Sequence, residues 1–353
     1  MRLAFAPYKL QFKEPAGTSR GILHSKSTYF LKIWDERDPS VFGIGEAAVF
    51  PGLSREAGPG YEYKLVETLA NIAIGRGTDL TQFPSIQFGL EQAIKDFSAG
   101  GKRVYFHSPF IQGEKGITIN GLVWMGDIDR MMQRLEQKIT DGFKCIKLKI
   151  GAISFADELK MLAAIRSRYS ASELEIRVDA NGAFTMDNVL PALHALSTYG
   201  VHSVEQPIAA GQWELTHFLT EVSKVPIALD EELIGLNTIE QKEEMLEHVK
   251  PSYIVLKPAL CGGFSGAQEW IDLAEARGIG WWVTSALESN IGLSALAQWV
   301  ATLDTSMPQG LGTGQLFTNN FPSPLRLESD RLYHISGMRQ YDNDIFNTLD
   351  WRE

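Results

Sequence analysis

Three acidic residues each end a short apolar run, in the stretches IRVD, SVE and IALD; they are Asp179, Glu205 and Asp230. If these runs are neighbouring strands of one parallel sheet, their carboxyl ends meet at one face, and the three carboxylates converge there. Buried carboxylates repel one another unless a divalent cation neutralises them, and an all-oxygen set favours Mg²⁺ or Mn²⁺ over zinc. Taken singly, each acid also fits a helix N-cap or a loop. Their shared position predicts a metal site.

Two lysines lie two residues apart in the apolar run KCIKLKI, at Lys147 and Lys149, and a third, Lys257, ends the later run YIVLKP. In a strand, residues i and i+2 point to the same side, here the barrel interior. Each ammonium disfavours protonation of its neighbour, and a nearby cation adds to this effect, so we expect a lowered lysine pKa and a competent base. An isolated KxK also fits a solvated edge strand, but the apolar neighbours argue against that interpretation.

A divalent ion between opposed lysines suits one class of reaction, the removal of a proton from the carbon next to a carboxylate. Such a carbon acid is too weak for an amine base alone. The charge that develops on the enediolate is what a metal ion and an ammonium group stabilise. The pattern therefore predicts an enzyme that acts on a small-molecule carboxylate, with Lys149 and Lys257 facing the site from opposite sides.

The chemistry-bearing residues recur with a regular period. Lys149, Asp179, Glu205, Asp230, Lys257 and Ser285 follow one another at intervals of 25 to 30 residues. Such a period is typical of repeated β-loop-α units, about eight of which close a TIM-type barrel. The sequence predicts an α/β fold, a modified (β/α)-barrel, with a final weak unit near residues 309–317. A doubly wound open sheet is the structural alternative, but no GxGxxG fingerprint supports it.

The first part of the chain has a different texture. Short β-rich runs up to about residue 50 predict a small antiparallel sheet whose first hairpin carries a loop at residues 15–25, and the helical patterns YEYKLVETLANIAI and SIQFGLEQAIKDFSA follow. We predict an α+β capping domain at 1–110, a barrel at 111–320, and a C-terminal segment at 321–353 that returns to the capping domain.

Composition narrows the class of protein. The chain has 353 residues and a formal net charge of −10, which disfavours nucleic acid and anionic membrane surfaces as partners. The start of the chain lacks a sustained apolar run, and no stretch approaches a membrane span, so we expect a soluble, cytoplasmic protein. Its two cysteines, Cys145 and Cys261, fit small core residues. The oligomeric state is left open.

With the K-x-K pair, the three acids and Lys257 in place, the chain resembles the enolase superfamily, in its muconate-lactonizing-enzyme branch. The resemblance covers essentially the whole chain. The His-Asp dyad of the mandelate-racemase branch is missing. Within the branch, the segments RVDANG, CGGF, SALESNIGL and GTSRG are similar to those of the o-succinylbenzoate synthases. That resemblance implies dehydration of a succinyl-hydroxycyclohexadiene carboxylate to an aromatic product in menaquinone biosynthesis.

The resemblance also implies roles for the charged residues. Lys149 would remove the α proton and later protonate the departing hydroxyl. Lys257 would stay protonated against the ring face, consistent with a cation–π contact. Lys147 would tune Lys149. Mg²⁺ on the three acids would bind the enediolate.

Six further residues are predicted substrate contacts, each with a structural alternative. Arg177 also fits a structural ion pair, and Gly262 and Gly263 also fit a turn that starts a helix. Ser285 and Glu288, which follow the apolar run GWWV, also fit a helix N-cap. Arg20, a basic residue in a hairpin loop, could close over the substrate or simply be solvated. Residues 46–53 would supply an apolar wall. The six are Arg177, Gly262, Gly263, Ser285, Glu288 and Arg20.

Other activities fit the same site. Two opposed lysines permit racemisation of N-acylamino acids, epimerisation of dipeptides or cycloisomerisation as readily as elimination. Dipeptide epimerases of this branch tend to carry an Asp-x-Asp where this chain has SALES, which argues against that activity. A non-catalytic barrel that only binds a partner would have lost a ligand or a lysine, and none is lost here.

Overall fold

A three-stranded antiparallel sheet and two helices form the first part of the chain. The computed structural model describes residues 1–18, 21–151, 153–336 and 344–353. The elements of this first lobe are β1 (Arg2–Thr18), β2 (Gly21–Asp35), β3 (Asp38–Ala47), α1 (Tyr61–Ala73) and α2 (Pro84–Ser98). The strands pair in the order β1-β2-β3. The predicted antiparallel sheet followed by helices is therefore confirmed.

The first hairpin differs from its prediction. Strand β1 runs to Thr18 and β2 starts at Gly21, so most of the loop expected at residues 15–25 is strand. The pairing register shifts between Gln11 and Ala16 and then resumes. Pro15 lies in the shifted stretch, and proline has no N–H for the ladder. An irregularity there absorbs the proline without ending the strands.

Helix α2 lies directly against β3 because glycines let the two backbones approach. A Cβ atom on Gly45 would lie 1.9 Å from the carbonyl oxygen of Gly89, and one on Gly89 would lie 2.6 Å from the Ala47 nitrogen. No larger residue fits at either position without moving the backbone. This contact fixes α2, whose other contacts reach the barrel.

A buried ion pair ties β3 to the end of α2. Asp96 is fully buried and accepts hydrogen bonds from the Ile44 nitrogen (2.8 Å) and from the Arg103 nitrogen (2.6 Å) and guanidinium. We expect Asp96→Ala to lower the free energy of unfolding by about 3–5 kcal/mol, because it leaves the Arg103 charge buried without its partner. Urea denaturation measures this. Glu36→Ala, which breaks an exposed ion pair with Arg2, should change the free energy of unfolding by less than about 1 kcal/mol.

A seven-stranded parallel sheet follows, with helices between its strands. In sheet order the strands are β11-β10-β9-β8-β7-β6-β5. The strands are β5 (Gly121–Val123), β6 (Cys145–Lys149), β7 (Glu175–Asp179), β8 (Ser203–Glu205), β9 (Ile227–Leu229), β10 (Tyr253–Leu256) and β11 (Gly280–Val283). The helices are α3 (Ile128–Thr140), α4 (Phe155–Arg166), α5 (Val189–Ser197), α6 (Trp213–Val222), α7 (Ile239–Val249), α8 (Gly263–Glu275) and α9 (Asn290–Val300). The six regularly spaced residues of the sequence each lie at a strand end or within two residues of one, which confirms the β/α repeat.

The weak eighth unit closes the barrel. Gln309 forms a parallel bridge with Ile119, and Gly310 forms one with Thr284, so this segment spans the gap between the two edge strands. Both faces of the strands are buried, which explains their nearly continuous apolar sequences. Cys145 and Cys261 are buried free thiols, as predicted. In the described ranges, no helix is both long and apolar enough to cross a membrane.

The C-terminal segment divides between the two parts of the protein. Strand β12 (Leu325–Glu328) pairs with β13 (Arg331–His334), and β13 pairs with β4 (Ile117–Thr118), next to the barrel. Further on, Arg352 bridges to Phe5 of β1, and α10 (Asp344–Asn347) packs Phe346 against the first lobe. The domain limits at 110 and 320 stay a prediction.

Candidate active site

The predicted strand-end residues lie side by side at one face of the barrel. In the strand register, Lys149 pairs with Asp179, and Asp179 pairs with Glu205. Asp230 directly follows β9, the next strand of the sheet. The carboxyl ends of barrel strands are where enzymes of this architecture place their reactive groups. The sheet therefore brings the three acids and Lys149 together.

Each lysine contacts an acid. Lys147 Nζ lies 2.8 Å from Asp179 Oδ2 and 2.5 Å from Glu205 Oε1. Lys149 Nζ donates to Asp179 Oδ2 at 2.6 Å, and Lys257 Nζ donates to Asp230 Oδ2. The site is a compact array of alternating charges.

Nearby carboxylates raise the pKa values of Lys147 and Lys257. Burial lowers the pKa of Lys147, but the charges of Asp179 and Glu205 outweigh it and hold that pKa above its ordinary value. Lys257 follows the same pattern: burial lowers its pKa, and the charge of Asp230 more than restores it. The expected repulsion between Lys147 and Lys149 does not lower the pKa of Lys147, because Asp179 and Glu205 oxygens contact its ammonium. The raised pKa of Lys257 agrees with the ammonium expected there.

The acids carry the signs of a cation site. Burial, followed by the charge of Asp179, raises the pKa of Glu205 well above its ordinary value. Glu205 Oε2 is buried and has no hydrogen-bond partner among the described residues. Within those same ranges, no three His, Cys, Asp or Glu side chains form a ready ligand set, and the lysine ammonium groups lie against the acid oxygens instead. The donor chemistry and the unpartnered oxygen still fit a hard divalent cation.

Asn181 is a site residue that the sequence reasoning missed. Its Oδ1 accepts a hydrogen bond from Lys149 Nζ at 2.7 Å, and its Nδ2 donates to Glu231 Oε1 at 2.9 Å. Asn181 has a left-handed backbone with φ of 46°, a conformation that asparagine tolerates better than most residues. The stretch DANG after β7 was the available signal. Asn181 fixes the direction of the Lys149 side chain.

A cavity opens beside these groups. The ammonium-bearing residues Lys147, Lys149 and Lys257 line one part of it. Apolar side chains from the capping lobe and the barrel line the rest, namely Phe50, Leu53, Leu122, Trp124 and Leu287. A charged end and an apolar body suit a small carboxylate with a hydrocarbon ring.

The residues predicted after the seventh strand separate into two groups. Ser285 lies on the cavity wall. Glu288 is fully buried behind that wall and is not among its lining residues within the described ranges. Its carboxylate accepts from Ser285 Oγ at 2.5 Å and from the Ala286 nitrogen at 3.0 Å. Glu288 holds the wall from behind.

Gly263 faces the capping lobe, and Gly262 precedes it in the same turn. Helix α8 starts here, and Glu91 of α2 accepts a hydrogen bond from its Phe264 nitrogen at 2.6 Å. A Cβ atom on Gly263 would lie 2.5 Å from Glu91 Oε2. The turn thus binds a carboxylate of the protein itself. Among the described residues that line the cavity, neither glycine is found.

Arg177 points away from the cavity. Its Nε donates to Glu175 Oε1 at 2.8 Å, its Nη1 donates to the Pro308 carbonyl at 2.9 Å, and its guanidinium lies 4.2 Å from the Trp282 ring centroid. These contacts match the structural ion pair that the sequence allowed as an alternative. Arg20 lies outside the described residues.

Comparison with known proteins decides the family. The model of the family described as "Enolase C-terminal domain-like" matches residues 130–333. The chain belongs to the enolase superfamily. An o-succinylbenzoate synthase from Desulfotalea psychrophila is 45% identical and covers 94% of this chain and 98% of its own length.

Solved structures support the superfamily fold over almost the whole chain. The structure of MenC from Desulfotalea psychrophila has a TM-score of 0.80 at 40% identity, with 94% of this chain and 99% of that chain covered. Muconate lactonizing enzyme from Pseudomonas putida has a TM-score of 0.75 at 22% identity, covering 94% and 93%, which shows the shared fold. These superfamily neighbours confirm the predicted capped (β/α)-barrel.

Proposed function

We propose that this protein is a lyase that dehydrates a succinyl-hydroxycyclohexadiene carboxylate to o-succinylbenzoate, as a cytoplasmic step of menaquinone biosynthesis. The observation that carries the proposal is the 45% identity to an o-succinylbenzoate synthase over almost the full length of both chains. The cavity agrees with it, since three lysines and several apolar side chains line it. The expected partner is this small carboxylate, with no role for nucleic acid or membrane.

The proposed elimination uses Lys149 twice. Its neutral amine takes the proton from the carbon next to the ring carboxylate, and the resulting ammonium gives that proton to the departing hydroxyl, so that one water leaves. The charges of Asp230 and of the acids near it outweigh burial and raise the pKa of Lys257. Lys257 therefore remains an ammonium and stabilises the negative charge of the enediolate. Lys147, held between Asp179 and Glu205, keeps those carboxylates in place.

Asp179, Glu205 and Asp230 would hold the metal ion, Mg²⁺ or alternatively Mn²⁺. Enzymes of the enolase superfamily generally use Mg²⁺. When bound, the ion supplies positive charge that stabilises a carboxylate and its enediolate form. The unpartnered Glu205 Oε2 supports this assignment. Ser285 would contact the substrate from the cavity wall, and a substrate contact of Arg20 stays a prediction from the sequence.

Asn181→Ala should lower kcat about tenfold and change KM less, because it removes the hydrogen-bond acceptor that directs the Lys149 amine. Steady-state dehydration kinetics measure this. Asn188→Ala, at an exposed Asn on the loop before α5, is the matched control and should leave kcat within about twofold. A wild-type kcat in Asn181→Ala would contradict the positioning role.

Racemisation of N-acylamino acids or epimerisation of dipeptides is the second candidate. The favouring observation is that Lys149 and Lys257 both line the cavity, as a two-base exchange requires. An L-Ala-D/L-Glu epimerase from Bacillus subtilis is 26% identical and covers 57% of this chain and 52% of its own length. This lower coverage makes dehydration the better supported function.

An ultraviolet assay with Mg²⁺ and the cyclohexadiene substrate, run beside polarimetry on N-acylamino acids and dipeptides, distinguishes the two. We expect rapid loss of the diene absorbance and little change in optical rotation. Loss of rotation without dehydration would move the function to the racemase or epimerase. Inactivity in both assays would favour a barrel that only binds its ligand.

A further inference from the structure

Two acidic side chains of the capping lobe reach the first turns of two barrel helices. Glu46 lies on β3 and is fully buried, and Glu91 lies on α2 and is half-buried. The helices that they contact, α9 and α8, each follow a segment that lines the cavity, at residues 284–287 and at Lys257. The proposed elimination uses neither acid, so their place between lobe and barrel requires its own explanation.

Glu46 caps the start of α9. It accepts hydrogen bonds from the Ser289 nitrogen (3.0 Å), from Ser289 Oγ (2.6 Å) and from the Gly292 nitrogen (3.1 Å). A Cβ atom on Gly292 would lie 2.8 Å from Glu46 Oε2, so a larger residue there would displace the carboxylate. The first N–H groups of a helix lack partners within the helix and carry partial positive charge. Here a buried carboxylate of the lobe satisfies them.

Glu91 has the same role at α8. Gly262, the residue before this helix, has no side chain that could cap it. Glu91 Oε2 instead accepts from the Phe264 nitrogen at 2.6 Å, and Glu91 Oε1 accepts from Ser265 Oγ. As at α9, a glycine leaves room for the carboxylate, since a Cβ atom on Gly263 would lie 2.5 Å from Glu91 Oε2. The lobe thus caps two successive barrel helices with its own acids.

The two acids belong to one rigid part of the lobe. Gln92, which follows Glu91 on α2, is fully buried. Its Oε1 accepts from the Glu46 nitrogen at 3.2 Å, and its Nε2 donates to the Glu46 carbonyl at 3.3 Å. The close backbone contact between Gly45 and Gly89 adds to this link. A displacement of either acid therefore moves the other.

The docked lobe also supplies part of the cavity. Phe50 and Leu53 line the cavity and follow Glu46 closely in the sequence. The three lysines that line the same cavity belong to the barrel. The position of the lobe on the barrel therefore sets the distance between the apolar and the charged parts of the cavity.

We propose that Glu46 and Glu91 are paired positioning residues that dock the lobe on α9 and α8 as one unit. This docking holds Phe50 and Leu53 at the distance from the barrel lysines that the substrate requires. The effect on the substrate rests on the proposed function, whereas the docking does not.

Glu46→Gln and Glu91→Gln test this proposal, because an amide NH₂ group in place of a carboxylate oxygen opposes the N–H donors of a helix start. We expect KM for the cyclohexadiene to rise about tenfold in Glu46→Gln and about threefold in the half-buried Glu91→Gln. The kcat should stay within about threefold of wild type, since the reacting groups keep their places in the barrel. Glu67→Gln is the matched control, at an exposed acid of α1 that pairs with Lys64, and should leave KM unchanged.

Hydrogen exchange distinguishes docking of the whole lobe from two local contacts. Peptides that cover residues 258–268 and 284–294 report on the starts of α8 and α9 without any substrate. In Glu91→Gln, exchange should become faster in both peptides, although Glu91 bonds to the first of them. Faster exchange in the first peptide alone would show a local cap and overturn the paired role.

A wild-type KM in both variants would likewise contradict the proposal. Melting curves place the assay below unfolding, so that a rise in KM reports the docked lobe rather than loss of folded protein. If Glu46→Gln does not fold, Glu91→Gln decides, because its acid is half-buried and its replacement costs less stability. A wild-type protein without dehydration activity would refute the proposed function, while the exchange data still decide the docking.

Discussion

Replacing Lys149 with alanine is expected to lower kcat for dehydration by about 10³-fold or more, because the same amine removes the α proton and protonates the departing hydroxyl. Lys149 Nζ lies at the cavity between Asp179 Oδ2 (2.6 Å) and Asn181 Oδ1 (2.7 Å). Among the described residues, Lys149 is the lysine that contacts both Asp179 and Asn181. Stopped-time ultraviolet assays over long incubations measure such low rates.

The fold and the metal affinity should survive this substitution. The three proposed ligands keep their own contacts with Lys147 and Lys257. Lys160→Ala removes an exposed lysine that pairs with Asp157 on the same helix, and it should leave kcat unchanged. Turnover near the wild-type value in Lys149→Ala would contradict the base assignment.

Removing divalent metal should abolish activity, to below about 1% of the starting rate, and added Mg²⁺ should restore it, since charge stabilisation by a metal ion is worth several kcal/mol in such reactions. Dialysis against EDTA followed by Mg²⁺ titration measures both steps. The structural reason is the set of three acids at adjacent strand ends with an unpartnered oxygen on Glu205. Activity that persists after thorough chelation would eliminate the metal from the proposed mechanism.

Asp230→Asn locates the site of that metal. We expect it to weaken Mg²⁺ affinity by at least about tenfold, because a charged ligand becomes a neutral one. Its effect on the melting temperature of the metal-free protein should be small by comparison. Asp272→Asn, on the exposed side of α8, is the matched control and should leave the titration unchanged. A wild-type Mg²⁺ titration in Asp230→Asn would refute its role as a ligand.

The strand-end residues were predictable because a parallel barrel converts a regular period into a shared location. Asp179 and Glu205 are paired in the strand register as the spacing predicted. The period did not reveal which charges would touch. The sequence placed Lys147 and Lys149 as mutual neighbours, whereas the structure puts acid oxygens against both ammonium groups.

Contacts between distant segments explain most of the remaining differences. Gly262 and Gly263 were predicted to contact the substrate. Glu91, which instead accepts a hydrogen bond from the Phe264 nitrogen at that helix start, lies 173 residues earlier, so the local sequence does not reveal it. Glu46 accepts a hydrogen bond from Ser289 Oγ across 243 residues of sequence, so this contact has no local signature. The contact of Asn181 with Lys149 requires a left-handed backbone at Asn181, and the sequence pattern does not show where that turn directs the side chain. Such contacts follow from docking of the lobe, which periodicity does not encode.

A crystal structure of the protein with Mg²⁺ and o-succinylbenzoate tests the central proposal most directly. We expect the ion on Asp179, Glu205 and Asp230, and the ring carboxylate between Lys149 and Lys257, with the apolar part of the product against Phe50. An ion bound elsewhere, or a product whose carboxylate lies away from both lysines, would contradict the proposed site and its chemistry.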